Sequence, residues 1–250
     1  CGHIFTTLPD GTAENHGFVH PSYMMSAVSL PGMTVNVLRL FNREAPPHMF
    51  WHRKDCYDLL KFWCDGTGAP HAVQGMDWPY FAYPGHCFSH AVANLYMDDP
   101  DAALLERRAL ETLERSADAH GGRIVPKEQA DHCHGQQDPA LMRERMIASA
   151  AHAYLAHRLT GEGAAPPDPE EFEKRCCGVR LYSHGGALVH RHERGLTSFS
   201  WRNRTMVLPA TRQGARLIGP GHNAMLAEIQ VKDRAANTVP VALKIREADD

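Results

Sequence analysis

Residues 161–170 read GEGAAPPDPE, and this stretch divides the chain into two textures. Its glycines, prolines and carboxylates favour neither a helix nor a ladder, so it reads as a linker. On its N-terminal side, Asp138-Pro139 opens a periodic run carrying Leu141, Met142, Met146, Ala150, Ala153 and Leu155, which ends at Thr160-Gly161. One step further back, Asp98-Asp99-Pro100 supplies an acidic cap and an early proline. The helix it starts carries Leu104, Leu105, Ala109 and Leu113 and stops at His120-Gly121-Gly122. On the C-terminal side, residues 179–183, 186–191, 197–201, 204–208, 225–231 and 239–245 are short β-branched or aromatic runs. Gly, Asn and Pro separate them, which predicts antiparallel strands. Helices followed by strands give an α+β, multidomain reading: helical over 1–160, linker over 161–177, β-rich over 178–250.

Upstream, residues 1–20 are irregular, with a turn at Pro9-Asp10-Gly11. A helix is predicted from Pro21 toward Phe41, broken or kinked at Pro31-Gly32. Tyr57, Leu60 and Trp63 share one face of a helix over 53–64. Residues 65–84 read as a long loop, and His86 to Met97 as a further helix. No internal repeat is visible.

The 250 residues are 43% apolar and 22% charged, the composition of a globular protein. A net charge of -3 without a basic block excludes bulk electrostatic attraction to nucleic acid or an anionic membrane. No apolar run is long enough to span a bilayer. Seven cysteines at irregular spacings argue against a disulfide framework. The chain begins without Met and ends on a charged segment, so it is expected to be an excerpt of a longer protein. Seventeen histidines raise the expectation of an enzyme, because imidazole serves acid–base work and recognition of acidic groups.

Four clusters carry candidate chemistry. The first is Asp10-Gly11-Thr12-Ala13-Glu14-Asn15-His16-Gly17-Phe18-Val19-His20-Pro21-Ser22-Tyr23. A tyrosine in the first turn of a helix feels the positive end of the macrodipole, which favours phenolate, and neighbouring cationic His favours it further. The plainer reading is a polar loop that caps the helix. The second is residues 71–81, where His71, Gln74, Asp77, Trp78 and Tyr80 suit a sugar: rings stack and polar groups hold hydroxyls. A buried aromatic plug is the alternative. The third is Asp131-His132-Cys133-His134, with zinc-ligand types or a loop positioning the next helix cap. The fourth groups His184, His190 and His192 with Arg202; alternation puts His190 and His192 on one face.

Asn-His-Gly followed by Pro-Ser-Tyr resembles the active-site vocabulary of heparinase II/III-type and alginate polysaccharide lyases, and Gly185-Gly186-Ala187-Leu188-Val189-His190-Arg191 resembles the opening strands of their second domain. The resemblance implies an α/α toroid-like helical domain followed by an antiparallel β-sandwich, here incomplete, and a secreted or periplasmic protein. It implies that Asn15 and His16 neutralise a uronate carboxylate while Tyr23 exchanges protons with the sugar, with His190 or His71 as a further group. His20, His71, Gln74, Asp77, Trp78, Tyr80 and Arg202 would then bind substrate. The reaction implied is β-elimination on an acidic polysaccharide, with no cofactor required and room for a structural metal ion. A glycoside hydrolase on a similar toroid, or a non-catalytic carbohydrate binder, are the competing expectations.

Overall fold

The computed structural model describes residues 7–15, 17–75, 86–124, 139–202 and 205–214. The architecture is mixed: six helices and a four-stranded antiparallel sheet among the described residues. A short hairpin comes first, β1 (Glu14–Asn15) pairing antiparallel with β2 (Phe18–Val19). Its last ladder bond runs from the His20 N–H to the Ala13 carbonyl at 2.9 Å. His20 keeps an extended backbone, as the residue before a proline must, and Pro21 then starts α1 (Pro21–Leu40).

Helix α1 is continuous for 20 residues, and the break predicted at Pro31-Gly32 does not occur. Proline removes one N–H from the ladder, yet tertiary packing overrides that cost. Gly32 shows why: a Cβ there would lie 2.2 Å from Val92 Cγ2 and 3.2 Å from Phe88 Cζ. The missing side chain lets α3 (Cys87–Tyr96) come close to α1. Helix α3 is central, packed on α1, on α4 (Pro100–Ala119) and on α5 (Pro139–Thr160). Every residue from Cys87 to Asn94 is buried, as expected of a helix surrounded on all sides. Helix α2 (Arg53–Trp63) buries Tyr57, Leu60 and Trp63 as its spacing predicts. The Asp99 carboxylate caps α4 by accepting from the Asp101 N–H at 3.1 Å, and it also accepts from Lys61 Nζ at 2.7 Å.

The segment 161–177, read above as a linker, contains α6 (Pro169–Cys176), capped by Asp168. Strands β3 (Gly178–Tyr182), β4 (Ala187–His192), β5 (Gly195–Ser200) and β6 (Met206–Thr211) follow as a meander in chain order. The strands expected at 225–231 and 239–245 lie outside the described residues. Ala187, Val189 and Arg191 of β4 point inward, while His190 is exposed on the other face. The inner face lies on the helices. Trp63 Nε1 donates to the Tyr182 hydroxyl at 3.0 Å, and one apolar core runs from Met24, Leu60 and Leu104 through Phe172 to Val189 and Leu196. No helix among the described residues is long and apolar enough to cross a membrane.

Candidate functional site

The hairpin and the start of α1 place the first cluster where the helices meet the sheet. The His20 carbonyl accepts from the N–H groups of Tyr23 and Met24 at 3.0 and 3.1 Å, which closes the first turn of α1. Tyr23 therefore sits at the positive end of a 20-residue helix. Its ring meets the His20 imidazole edge-on, with centroids 4.8 Å apart and planes at 90°. The two differ in access: His20 is fully buried, while Tyr23 is 37% exposed. Phenol and imidazole are thus adjacent, and the phenol is the partner that solvent reaches. On β1, the Asn15 Oδ1 is buried and meets no hydrogen-bond donor among the described residues. His16, named with it in the sequence, lies outside the described residues.

Three side chains lock the β3–β4 turn against this hairpin. Asp10 Oδ2 accepts from the His184 and Gly185 N–H groups, both at 2.8 Å, while Oδ1 accepts from the Thr12 hydroxyl at 2.7 Å. Partial burial alone would raise the Asp10 pKa, but these hydrogen bonds to the charged form hold it below the ordinary range. Gln74 is buried behind the hairpin. Its Oε1 accepts from the Val19 N–H at 2.8 Å, and its Nε2 donates to the Gly186 carbonyl at 3.1 Å and to that of Gly185. On the outer side, Arg202 pairs with Glu14 and donates to the His184 carbonyl at 2.8 Å. Gly185 has no room for a side chain, since a Cβ would come within 2.9 Å of both Thr12 Oγ1 and Val19 Cγ2. Hairpin, helix start and turn therefore form one hydrogen-bonded unit that carries Asn15, His20 and Tyr23.

The other sequence-predicted residues fall elsewhere or hold other roles. His71 is 1% exposed beneath the sheet, with Nε2 2.9 Å from the Leu208 carbonyl and 3.3 Å from Ser198 Oγ. A carbonyl only accepts, so Nε2 carries the proton and the ring serves as a tie between the connection that follows α2 and the sheet. Gln74, expected to touch sugar, spends its amide on the backbone. His190 stands on the outer face with its ring centroid 5.3 Å from that of His192, as alternation requires. The structure does not bring it to Tyr23: the inward residues of its strand meet the helices, and it points the other way. Asp77, Trp78, Tyr80 and the Asp131–His134 cluster lie outside the described residues. Among the described residues, no group of three or more His, Cys, Asp or Glu is placed to hold a metal ion.

The sequence reading placed Asp10 and Glu14 in the first cluster but assigned them no organising role, which the structure gives them. The Pro9-Asp10-Gly11-Thr12 stretch does carry a signal, because an aspartate two residues before a threonine commonly folds back on its backbone. Its reach to residues 184–185 is a tertiary fact with no local signature. No family model, curated protein or solved structure matches the chain.

Proposed function

We propose that this chain carries the reacting groups of a polysaccharide lyase, which cleaves a uronic-acid polymer by β-elimination. The observation that supports this best is Tyr23: a solvent-accessible phenol in the first turn of a long helix, edge-on to a buried imidazole and one short hairpin away from Asn15. In the proposed reaction Asn15, with His16, binds the uronate carboxylate and spreads its charge, which acidifies the proton on C5. Tyr23 as phenolate takes that proton. The electron pair forms the C4–C5 double bond and expels the O4 leaving group, which takes a proton back from the tyrosine. Atoms and charge balance without any cofactor. The architecture proposed for the whole protein is a helical toroid whose sheet-bearing end continues into a β-sandwich, with the cleft at their junction.

A hydrolase would need two carboxylates flanking the scissile bond. Three carboxylates stand in the loops that carry candidate chemistry, Glu14, Asp77 and Asp138; Glu14 pairs with Arg202, and Asp77 and Asp138 lie outside the described residues.

The test is absorbance of the unsaturated product on alginate, heparan sulfate and polygalacturonate. Tyr23→Phe keeps the ring contact with His20 and removes the transferable proton. A rate loss of about 100- to 10,000-fold with an unchanged melting temperature is expected. Product formation by Tyr23→Phe at the wild-type rate, or reducing ends without unsaturation, overturns the reading.

A further inference from the structure

Helix α1 leaves one long face uncovered. Its inner residues Met24, Met25, Val28, Gly32 and Val35 are buried by the chain itself. Outside, Leu30, Met33, Val37, Leu40 and the adjoining Phe41 stand in water, with exposures from 38% at Met33 to 73% at Phe41. The outer residues within the helix recur at spacings of three, four and three. That is the narrow seam of a coiled coil rather than the wider stripe of a helix lying on a globular core. From residue 21 to residue 38 there is no Asp, Glu, Lys or Arg, and a helix apolar all round is normally buried all round. Polar groups on or beside the face are already satisfied. The Thr34 hydroxyl donates back to the Leu30 carbonyl at 3.3 Å, and Asn36 turns inward, its Nδ2 donating to the His152 carbonyl at 3.2 Å. Arg39, the first charge, lies over the Tyr96 ring of its own chain at 5.5 Å.

The spacing indicates what covers this face, because it reads the same in both directions. Let two copies of α1 run antiparallel about a two-fold axis level with Val35. Leu30 then stands opposite the partner's Leu40, and Met33 opposite the partner's Val37, so all four seam positions meet an apolar residue at once. Such self-complementarity is what a two-fold contact between identical chains requires. No like charges oppose each other along the seam, since the helix carries none before Arg39. A helix that lies on a lipid surface is flanked by Lys and Arg, which this one lacks over the same stretch. Side chains of this size at these exposures offer about 500 Å² per copy, so a symmetric pair removes roughly 1,000 Å² from water, the level a specific interface has to reach. Tyr23 lies on the same side, two turns before Leu30, beyond the point where the partner helix has ended, so its phenol stays open.

We propose that the outer face of α1 is a self-association surface, on which a second copy of this chain seats its own α1 antiparallel through Leu30, Met33, Val37 and Leu40. The pairing is independent of the reaction proposed at Tyr23, and its test needs no substrate. The experiment is sedimentation equilibrium of the whole chain up to about 100 µM, where an interface of this size is populated. The wild type reads twice the mass of the chain. Val37→Glu raises the apparent Kd about a hundredfold or more, because each copy then buries a carboxylate against the partner's Met33. Circular dichroism stays unchanged, since the site is exposed in the single chain. Leu30→Lys and Leu40→Glu each weaken the pair when made alone. Combined in one chain they restore part of the loss, because antiparallel pairing sets opposite charges against each other at both ends of the seam. A parallel pair would set like charges together and stay weak. A wild type that remains a monomer, a dimer that Val37→Glu leaves intact, or a double variant no better than either single one overturns the proposal.

Discussion

Arg191 is the side chain through which the sheet grips the helices, and replacing it with Met tests that claim. Arg191 is 4% exposed on β4. Its Nη2 meets Glu173 at 2.6 Å, and its Nη1 donates to the carbonyls of Phe62 at 2.9 Å and Cys64, at the end of α2. Glu173 is shared with Arg108 of α4 at 2.7 Å, and Phe172 lies under both guanidiniums at 5.4 and 5.5 Å. One carboxylate thus ties α4, α6 and β4 together, and one guanidinium satisfies the carbonyls that α2 leaves open. Arg191→Met keeps bulk and apolar contact but leaves Glu173 half-neutralised and those carbonyls unmet. Breaking a buried pair costs about 3–5 kcal/mol. For a chain of this size that is a fall in Tm of about 6–20 °C. Adding Glu173→Gln to Arg191→Met removes the stranded charge and restores part of the loss, measured by urea melts of both variants. The sign of the pH dependence follows from Glu173. Burial raises its pKa, but the two arginines outweigh this and hold it below the usual 4.5. Its contribution is therefore present above that value and disappears as pH falls through the depressed folded value, so the gap between wild type and Arg191→Met narrows in acid. A loss under about 1 kcal/mol at neutral pH, or no recovery in the double variant, refutes the reasoning.

Gln74→Leu preserves volume but takes the partner from the buried Val19 N–H and the Gly185 carbonyl, so a loss of about 2–4 kcal/mol and faster hydrogen exchange at Val19 are expected. Wild-type exchange at that amide would remove Gln74 from the hairpin anchor. His90 gives a pH test. It is fully buried between the Tyr57 hydroxyl at 2.6 Å and the Gly68 carbonyl at 2.8 Å, and burial lowers its pKa to about 3. Its folded form is neutral, so no penalty exists above the unfolded pKa of about 6.5, and one builds below it toward the folded value. Between pH 6.5 and 5 this single group costs about 2 kcal/mol, read by urea melts, and a His90→Gln variant that keeps the same pH slope would refute the assignment.

The helices were legible because their signals are local. Pro21, Asp99-Pro100 and Pro139 each mark a start that the structure places there, and the spacing of Tyr57, Leu60 and Trp63 names the buried face of α2. Strands β3 to β6 were legible from composition, to within two or three residues. What escaped was decided by partners distant in the chain. Pro31-Gly32 reads as a helix break from local propensity, yet the close approach of Val92 makes the glycine an advantage. Residues 65–75 read as an open loop rich in sugar-binding types, but they are mostly buried, and His71 and Gln74 face the sheet and its β3–β4 turn.

The same division explains why the candidate site is only half visible in the sequence. Tyr23 and His20 lie three residues apart at a helix start, so their juxtaposition follows from backbone geometry alone and the sequence could name it. The shell around them joins Asp10 to His184 and Gln74 to Gly186, across more than a hundred residues, through single hydrogen bonds of residue types that occur everywhere. Such contacts leave no periodicity to read. They nevertheless decide whether Asn15 and Tyr23 keep a fixed separation, because a two-residue hairpin on its own is marginal in water and needs an external clamp. Chemistry at Tyr23 is thus predicted to depend on Asp10, a residue that touches no substrate in the proposed reaction: loosening the turn at His184–Gly186 would let Asn15 drift from the phenol, and a misplacement of 1 Å is enough to cost about a hundredfold in rate.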